Sequence, residues 1–309
     1  PVDGDQPSLL IGLIEWARLL GLPVMAAGKS SESDFVWTPA TNEVKAWGQT
    51  VVSTEIGQNF IPNSPYSWHD VLANRASVPF ELTTVPDLCE MGIVANHTGL
   101  LPDCASLHAP LARTVELPSI FRPKEEGGIL SGQGRVDMFN CLRRPDELSF
   151  AGGVFVVIEA PDVATGKLFA AKGIPTCPNG KYVLIHNPVH LLGAEAAMSI
   201  LSAVKLGASC GGRDVRPVVD LSAMAQRQIE VGELFEIGTR HVIPGLGHQL
   251  MGAQPMSPDN PLPYYLCAGA KVLRPIPKGK IVTCSDVEID SNSILYQLRT
   301  SQDQHFFPH

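Results

Sequence analysis

Lys29 stands at the end of the short apolar run Val24-Met25-Ala26-Ala27, after Gly28 and before Ser30 and Ser31. A lysine just beyond a buried strand is where α/β proteins present their chemistry. Reduction of a carbonyl leaves negative charge on oxygen, and a lysine against a low-dielectric wall can supply both the cation and the proton. Glycine at position 28 would let a ligand approach the backbone closely. The bland alternative is a lysine in a solvated turn, Gly28-Lys29-Ser30-Ser31. Asp5, with Asp3, precedes an apolar helical stretch, where a carboxylate can orient a catalytic group or simply cap the helix. Glu90 and Glu195 fall in apolar stretches, and a carboxylate there needs a partner. Lys29, a substrate hydroxyl or a divalent ion would each serve, so Glu195 is a candidate orienter or metal ligand, against a plain salt bridge. His190 could polarise a carbonyl or be a satisfied structural histidine.

For an anionic group the suitable residues are Arg122 and Lys124, then Arg143, Arg144 and the turn Ser131-Gly132-Gln133-Gly134-Arg135. Arginine offers paired donors and glycine-rich turns expose backbone N–H groups. We take Arg122, Lys124, His190, Ser30 and Glu90 as candidate substrate contacts. The turn lacks the lysine spacing of a nucleotide-hydrolysing loop. His69, His97, His108, His241 and His248 show no paired spacing, so a zinc site is not expected.

These residues need elements to hold them. Pro7 suits a first helical turn, Leu9 to Leu20 recur at helical spacing, and Gly21 supplies a stop. Val24 to Ala27 reads as a buried strand, and Val44 to Val51 as an edge strand or hairpin. Residues 57–70 read as loop, and residues 86–110 as a helical or strand segment running into a glycine turn. Val154 to Ile158 is the strongest strand, continuous enough to be central in a sheet, and Tyr182 to Ile185 is a second. Pro188 and Gly207 bound a long helix expected from about Leu191 to Leu206. Beyond Gly211-Gly212 short strands alternate with Gly/Pro turns. The expected organisation is a substrate domain over residues 1–215 and a small β-rich domain over 216–309. The fold class is α/β, with an α+β substrate domain built on a mixed sheet.

The 309 residues, 44% hydrophobic and 17% charged, suit a globular protein with a sizeable core. A net charge of −8 argues against nucleic acid or an anionic lipid surface as a partner. No apolar run has the length of a membrane span. Seven scattered cysteines without a C-x-x-C pair fit reduced, buried thiols in a cytoplasmic protein.

Several segments carry a family likeness. Gly4-Asp5-Gln6-Pro7, Ala26-Ala27-Gly28-Lys29, Phe121-Arg122-Pro123-Lys124 with Gly127-Gly128-Ile129-Leu130, and Ala151-Gly152-Gly153-Val154 together resemble the homoserine-dehydrogenase-like oxidoreductases with a C-terminal SAF domain. Pro188-Val189-His190-Leu191-Leu192-Gly193-Ala194-Glu195 is similar to that group's Pro-x-His-Leu-x-Gly-x-Glu. Asp220 to Asp290, with Gly232-Glu233 and Lys278-Gly279-Lys280, resembles the SAF module. Gly28-Lys29-Ser30-Ser31-Glu32 and Asp87-Leu88-Cys89-Glu90-Met91 look most like the 1-deoxy-D-xylulose 5-phosphate reductoisomerase-like branch.

The resemblance implies NAD(P)H-dependent reduction or reductive isomerisation of a small phosphorylated or hydroxylated carbonyl compound, with NADP or NAD as cofactor and a divalent metal as a candidate second one. Lys29 would be the acid or electrostatic catalyst, Glu195 and Asp5 orienters. A homoserine-dehydrogenase-like activity and a non-catalytic, SAF-type sugar-binding role are the alternatives. A homo-oligomer acting on a small anionic substrate is expected. No G-x-G-x-x-G occurs, and the chain is expected to be the catalytic part of a longer oxidoreductase whose nucleotide-binding domain lies elsewhere.

Overall fold

A computed structural model describes residues 1–62, 68–212 and 214–308. The strands are β1 (Val24–Ser30), β2 (Phe35–Thr38), β3 (Glu43–Ala46), β4 (Gln49–Val52), β5 (Leu101–Pro102), β6 (Leu111–Ala112), β7 (Arg135–Arg143), β8 (Val154–Glu159) and β9 (Tyr182–Asn187) in one sheet. β10 (Val219–Ala225) with β11 (Leu246–Gly252), and β12 (Lys271–Val272) with β13 (Val287–Glu288), form two small antiparallel pairs. The helices are α1 (Gln6–Leu19), α2 (Thr54–Asn59), α3 (Trp68–Arg75), α4 (Val85–Thr98), α5 (Leu117–Ile120), α6 (Val163–Ala171), α7 (Ala196–Leu201) and α8 (Ile294–Phe306). The protein is therefore mixed α/β, with a mixed nine-stranded sheet and small antiparallel sheets. No described helix is long and apolar enough to cross a membrane.

The chain divides into two compact units. The first holds Pro1–Thr83, Leu100–Asp103 and Leu107–Val215. Its sheet runs β4-β3-β2-β7-β1-β8-β9, with β5 and β6 also paired to β7. β7 is parallel to β1, β2, β5 and β6, and β8 is antiparallel to both β1 and β9. All seven residues of β1 are buried. That strand is longer than its apolar run suggests: Lys29 and Ser30 lie inside it rather than in a turn. Backbone pairing of Lys29 with Met138 and Val154 carries the strand past Gly28.

Gly28 sits opposite Asp137 and Phe155, and a Cβ there would overlap the Asp137 carbonyl oxygen, so the close approach of β1 to β7 needs glycine. Phe155 stacks on Phe121 with centroids 5.2 Å apart and meets Phe139 edge-on at 5.5 Å. Leu117 and Ile120 of α5 complete this core. Each fully buried leucine or isoleucine contributes about 1.5–3 kcal/mol. α1 packs on β1 and β8 through Leu10, Ile11 and Ile14. Asp5 caps its start, accepting from the Gln6 N–H at 3.1 Å, and Gly21 turns the chain at φ +71.

Two loop and helix expectations change. α2 extends to Asn59 and α3 begins at Trp68, so both ends of the 57–70 stretch are helical; residues 63–67 lie outside the described residues. The 191–206 stretch is a broken helix: a 3₁₀ turn (Leu192–Glu195), α7, then a π segment (Ser202–Leu206). Its apolar side chains are exposed, Val204 at 74% and Leu206 at 77%. It provides no buried apolar setting for Glu195.

The second unit holds Thr84–Gly99, Cys104–Ser106 and Arg216–His309. α4 starts at a reciprocal Thr84–Asp87 cap and stops at Gly99, φ +72. It contributes Val85 to a core with Ala223, Ile229, Phe235, Tyr264 and Cys267. Asn96 stitches α4 to β10, accepting from the Val218 and Val219 N–H groups at 2.7 and 2.9 Å. Arg299 of α8 grips Asp220 at 2.7 and 2.8 Å.

Candidate functional site

The strongest convergence of chemistry-bearing groups in the first unit is centred on His108. Asp137, in the middle of β7 and fully buried, receives four N–H groups. His108 N and Ala109 N donate to its Oδ1 at 3.0 and 3.1 Å, Met138 N donates at 2.9 Å, and His108 Nδ1 meets Oδ2 at 2.6 Å. A buried carboxylate is tolerable only when compensated in this way. Facing a carboxylate, Nδ1 is the ring nitrogen that carries the proton.

The backbone is bent to suit. Leu107 and Ala109, on either side of His108, have φ of +60 and +44. Left-handed conformations at residues other than glycine cost about 1–3 kcal/mol each and persist where the surroundings over-determine them. Here they turn two successive N–H groups onto one oxygen. Asn140 of β7 steadies the same segment, its amide donating to Ala109 O at 2.9 Å and Leu82 O at 3.0 Å.

His108 lines a cavity of about 480 Å³ with His69, Leu72, Ala76, Leu82, Lys124 and Ile129. That is room for a small metabolite. Lys124 reaches it from a turn pinned at its base, where Lys124 N donates to Leu130 O at 2.9 Å and Ile129 N to Ile120 O at 3.0 Å. Glu126 ties the turn to β9 through Lys181 at 2.6 Å and the Tyr182 hydroxyl at 2.9 Å. Burial alone would push the His108 imidazole toward its neutral form. The Asp137 hydrogen bond and charge, with that of Asp103, outweigh burial and the opposing Lys124, and raise its pKa above the ordinary histidine value. The arrangement can hold an imidazolium beside a cavity and release its Nε2 proton to a bound oxygen.

Of the residues singled out from the sequence, Lys124 shares this cavity and the others lie elsewhere. Arg122 is half-buried on the same turn, with Nε buried and without a hydrogen-bond partner among the described residues. Lys29 is fully buried in β1. Strand alternation sends it to the face opposite Gly28 and Asp137, the face that α1 covers. Ser30 is fully buried too, and its hydroxyl finds no partner among the described residues.

Asp5, His190 and Glu195 gather near the start of α1. His190 Nδ1 is 3.1 Å from Gly4 O, and its ring fills the space where a Cβ of Gly152 would stand. Glu195 is half-exposed and accepts the Leu191 N–H at 2.8 Å. Glu90 lies half-buried on α4, in the second unit. Among the described residues no group of three or more His, Cys, Asp or Glu could hold a metal ion, so Glu195 belongs to no such group.

Sequence reasoning weighed His108 only as a metal ligand and passed over Asp137. The available signal was a carboxylate inside the otherwise apolar run Val136-Asp137-Met138-Phe139, which needs a partner wherever that strand is buried.

A dinucleotide needs a glycine turn opening onto a bare helix start. In α1, α4, α6 and α8 one N–H of the first turn is taken by Asp5, Thr84, Asp162 and Ser293 respectively.

The family comparison points to an oxidoreductase. Residues 78–196 match the model of the catalytic domain of oxidoreductase DRL. The matched segment includes His108, Lys124 and Asp137, and it supports an oxidoreductase of the homoserine-dehydrogenase-like kind. No curated protein matches the chain.

Proposed function

We propose that this chain handles the substrate of an NAD(P)-dependent oxidoreductase that reduces, or reductively isomerises, a small anionic carbonyl compound, with His108 as proton donor. The observation that carries the reading is the 2.6 Å contact of His108 Nδ1 with the buried Asp137, at the wall of a cavity that Lys124 also lines. As the carbonyl is reduced its oxygen gains negative charge. The Nε2–H of the imidazolium gives that oxygen its proton, and Asp137 stabilises the cation beforehand and orients the ring. Lys124 supplies positive potential for a phosphate or carboxylate on the substrate. In the oxidative direction neutral His108 takes the proton back.

The likeness to the 1-deoxy-D-xylulose 5-phosphate reductoisomerase-like branch supports a phosphorylated keto compound, and a homoserine-dehydrogenase-like substrate is the runner-up. A second arrangement puts the donor at Lys29, favoured by its place at the C-terminal end of β1, with Asp5, His190 and Glu195 as helpers. Turnover of small carbonyl substrates by the chain joined to a nucleotide-binding domain, followed by nicotinamide absorbance, separates the two. His108→Asn should lower turnover at least about a hundredfold, with Lys29→Met affected less. The reverse order would move the proton donor to Lys29.

A further inference from the structure

Asp103 stands beside the outer edge of the imidazole. Its Oδ2 is 3.6 Å from His108 Nε2, and its side chain is 2% exposed. It is held in place independently of the histidine. Ser131 donates to it through both its N–H, at 2.9 Å, and its hydroxyl, and Arg135 Nε lies 3.1 Å from Oδ1. Arg135 Nη2 in turn donates to Ser131 Oγ at 3.2 Å. Two carboxylates from different segments thus bracket one ring, one at each nitrogen. Asp137 is at hydrogen-bond distance and Asp103 just beyond it.

We propose that Asp103 is a positioning residue for His108, keeping Nε2 protonated and the ring in line while yielding that proton to a substrate oxygen. The proposal rests on His108 being the proton donor. The separation suits the task. A carboxylate bonded directly to Nε2 would compete with the substrate for its proton, whereas at 3.6 Å it acts through charge without occupying the nitrogen. Arg135 draws on the same carboxylate and moderates its hold on the ring. The other charged or titratable groups about the ring are Asp137 on β7, Lys124 on its turn and His69 of α3 across the cavity. Lys124 opposes the charged imidazole, so the two carboxylates together must outweigh it.

The test is a titration of the His108 imidazole by NMR in the full chain, its signal assigned by the His108→Asn variant. Asp103→Asn keeps a side-chain oxygen for Ser131 and removes the charge. It should lower the His108 midpoint by about one pH unit, the size expected for an opposite charge at this range. Arg135→Gln releases Asp103 from competition and should raise the midpoint. A purely structural Asp103 would not produce shifts of opposite sign. If Asp103→Asn unfolds the chain, Asp103→Ser takes its place and should lower the midpoint in the same way. A midpoint unmoved or lowered by Arg135→Gln, or one within 0.2 units of the unaltered protein in folded Asp103→Asn, as an order-of-magnitude threshold, would overturn the proposal. Activity is scored separately. Loss of turnover in His108→Asn tests the proton-donor reading, and the titration tests the hold of Asp103 on the ring whatever that result.

Discussion

The corner at the start of α1 and the cavity beneath His108 carry similar residue types, yet their carboxylates do different work. At the α1 corner Asp5 accepts from Gln6 N, Asp3 takes the Ser8 and Ser199 hydroxyls, and Glu195 accepts from Leu191 N. Each satisfies local backbone or hydroxyl donors and shapes the chain. At the cavity Asp137 is fully buried, collects three backbone N–H groups and spends its remaining capacity on an imidazole. A local cap is satisfied where it stands. A buried carboxylate gathered from a distant strand holds a group that can move a proton.

The largest contrast should appear in stability. Asp137→Ala leaves three buried backbone N–H groups and a histidine without their acceptor. It should cost on the order of 3–5 kcal/mol in a denaturant titration. Asp5→Ala removes one helix cap and should cost about 1 kcal/mol. Equal costs would erase the distinction between the two regions.

The pH dependence sharpens the comparison further. The folded pKa of His108 is raised, so the stability it contributes is fully present below the unfolded value near 6.5 and is lost as pH rises through the higher folded value. His186, near Phe150, is depressed by burial. Its contribution is present above the unfolded value and lost as pH falls through the lower folded one. Denaturant midpoints across pH 5–9, a range chosen to span ordinary histidine titration, should therefore lose their decline on the alkaline side in His108→Asn. They should lose their decline on the acid side in His186→Asn.

The smallest effect concerns the cofactor. The sequence has no G-x-G-x-x-G, and α1, α4, α6 and α8 each spend one first-turn N–H on their own cap, so this chain should bind NADPH weakly or not at all in a calorimetric titration. Low-micromolar affinity would contradict that account of the helix ends.

Much of the scaffold was legible in the sequence. The 3.6-residue period of α1 and the apolar runs of β8 and the first half of β9 mark those elements, because one face of the helix and those strand stretches are buried. The end of β1 was not legible. Lys29 and Ser30 look like turn residues locally and become strand only through pairing with β7, more than a hundred positions away. The 191–206 segment misled in the opposite sense, since its leucines and valines are exposed rather than buried. Lys124 could be singled out as an anion contact because it is a basic residue two positions from Arg122. The pairing of His108 with Asp137 was not legible, because the two are 29 residues apart and no spacing rule links them.

The central claim is that His108, held by Asp137, gives the proton to the reduced carbonyl oxygen. The most direct measurement is the pH profile of kcat/KM for carbonyl reduction by the chain joined to a nucleotide-binding domain, compared with Asp137→Asn and His108→Asn. The unaltered protein should lose activity as pH rises past a midpoint above the usual histidine value. Asp137→Asn should move that midpoint down, and His108→Asn should abolish it together with most of the turnover. A profile whose alkaline fall survives unchanged in His108→Asn would contradict the account.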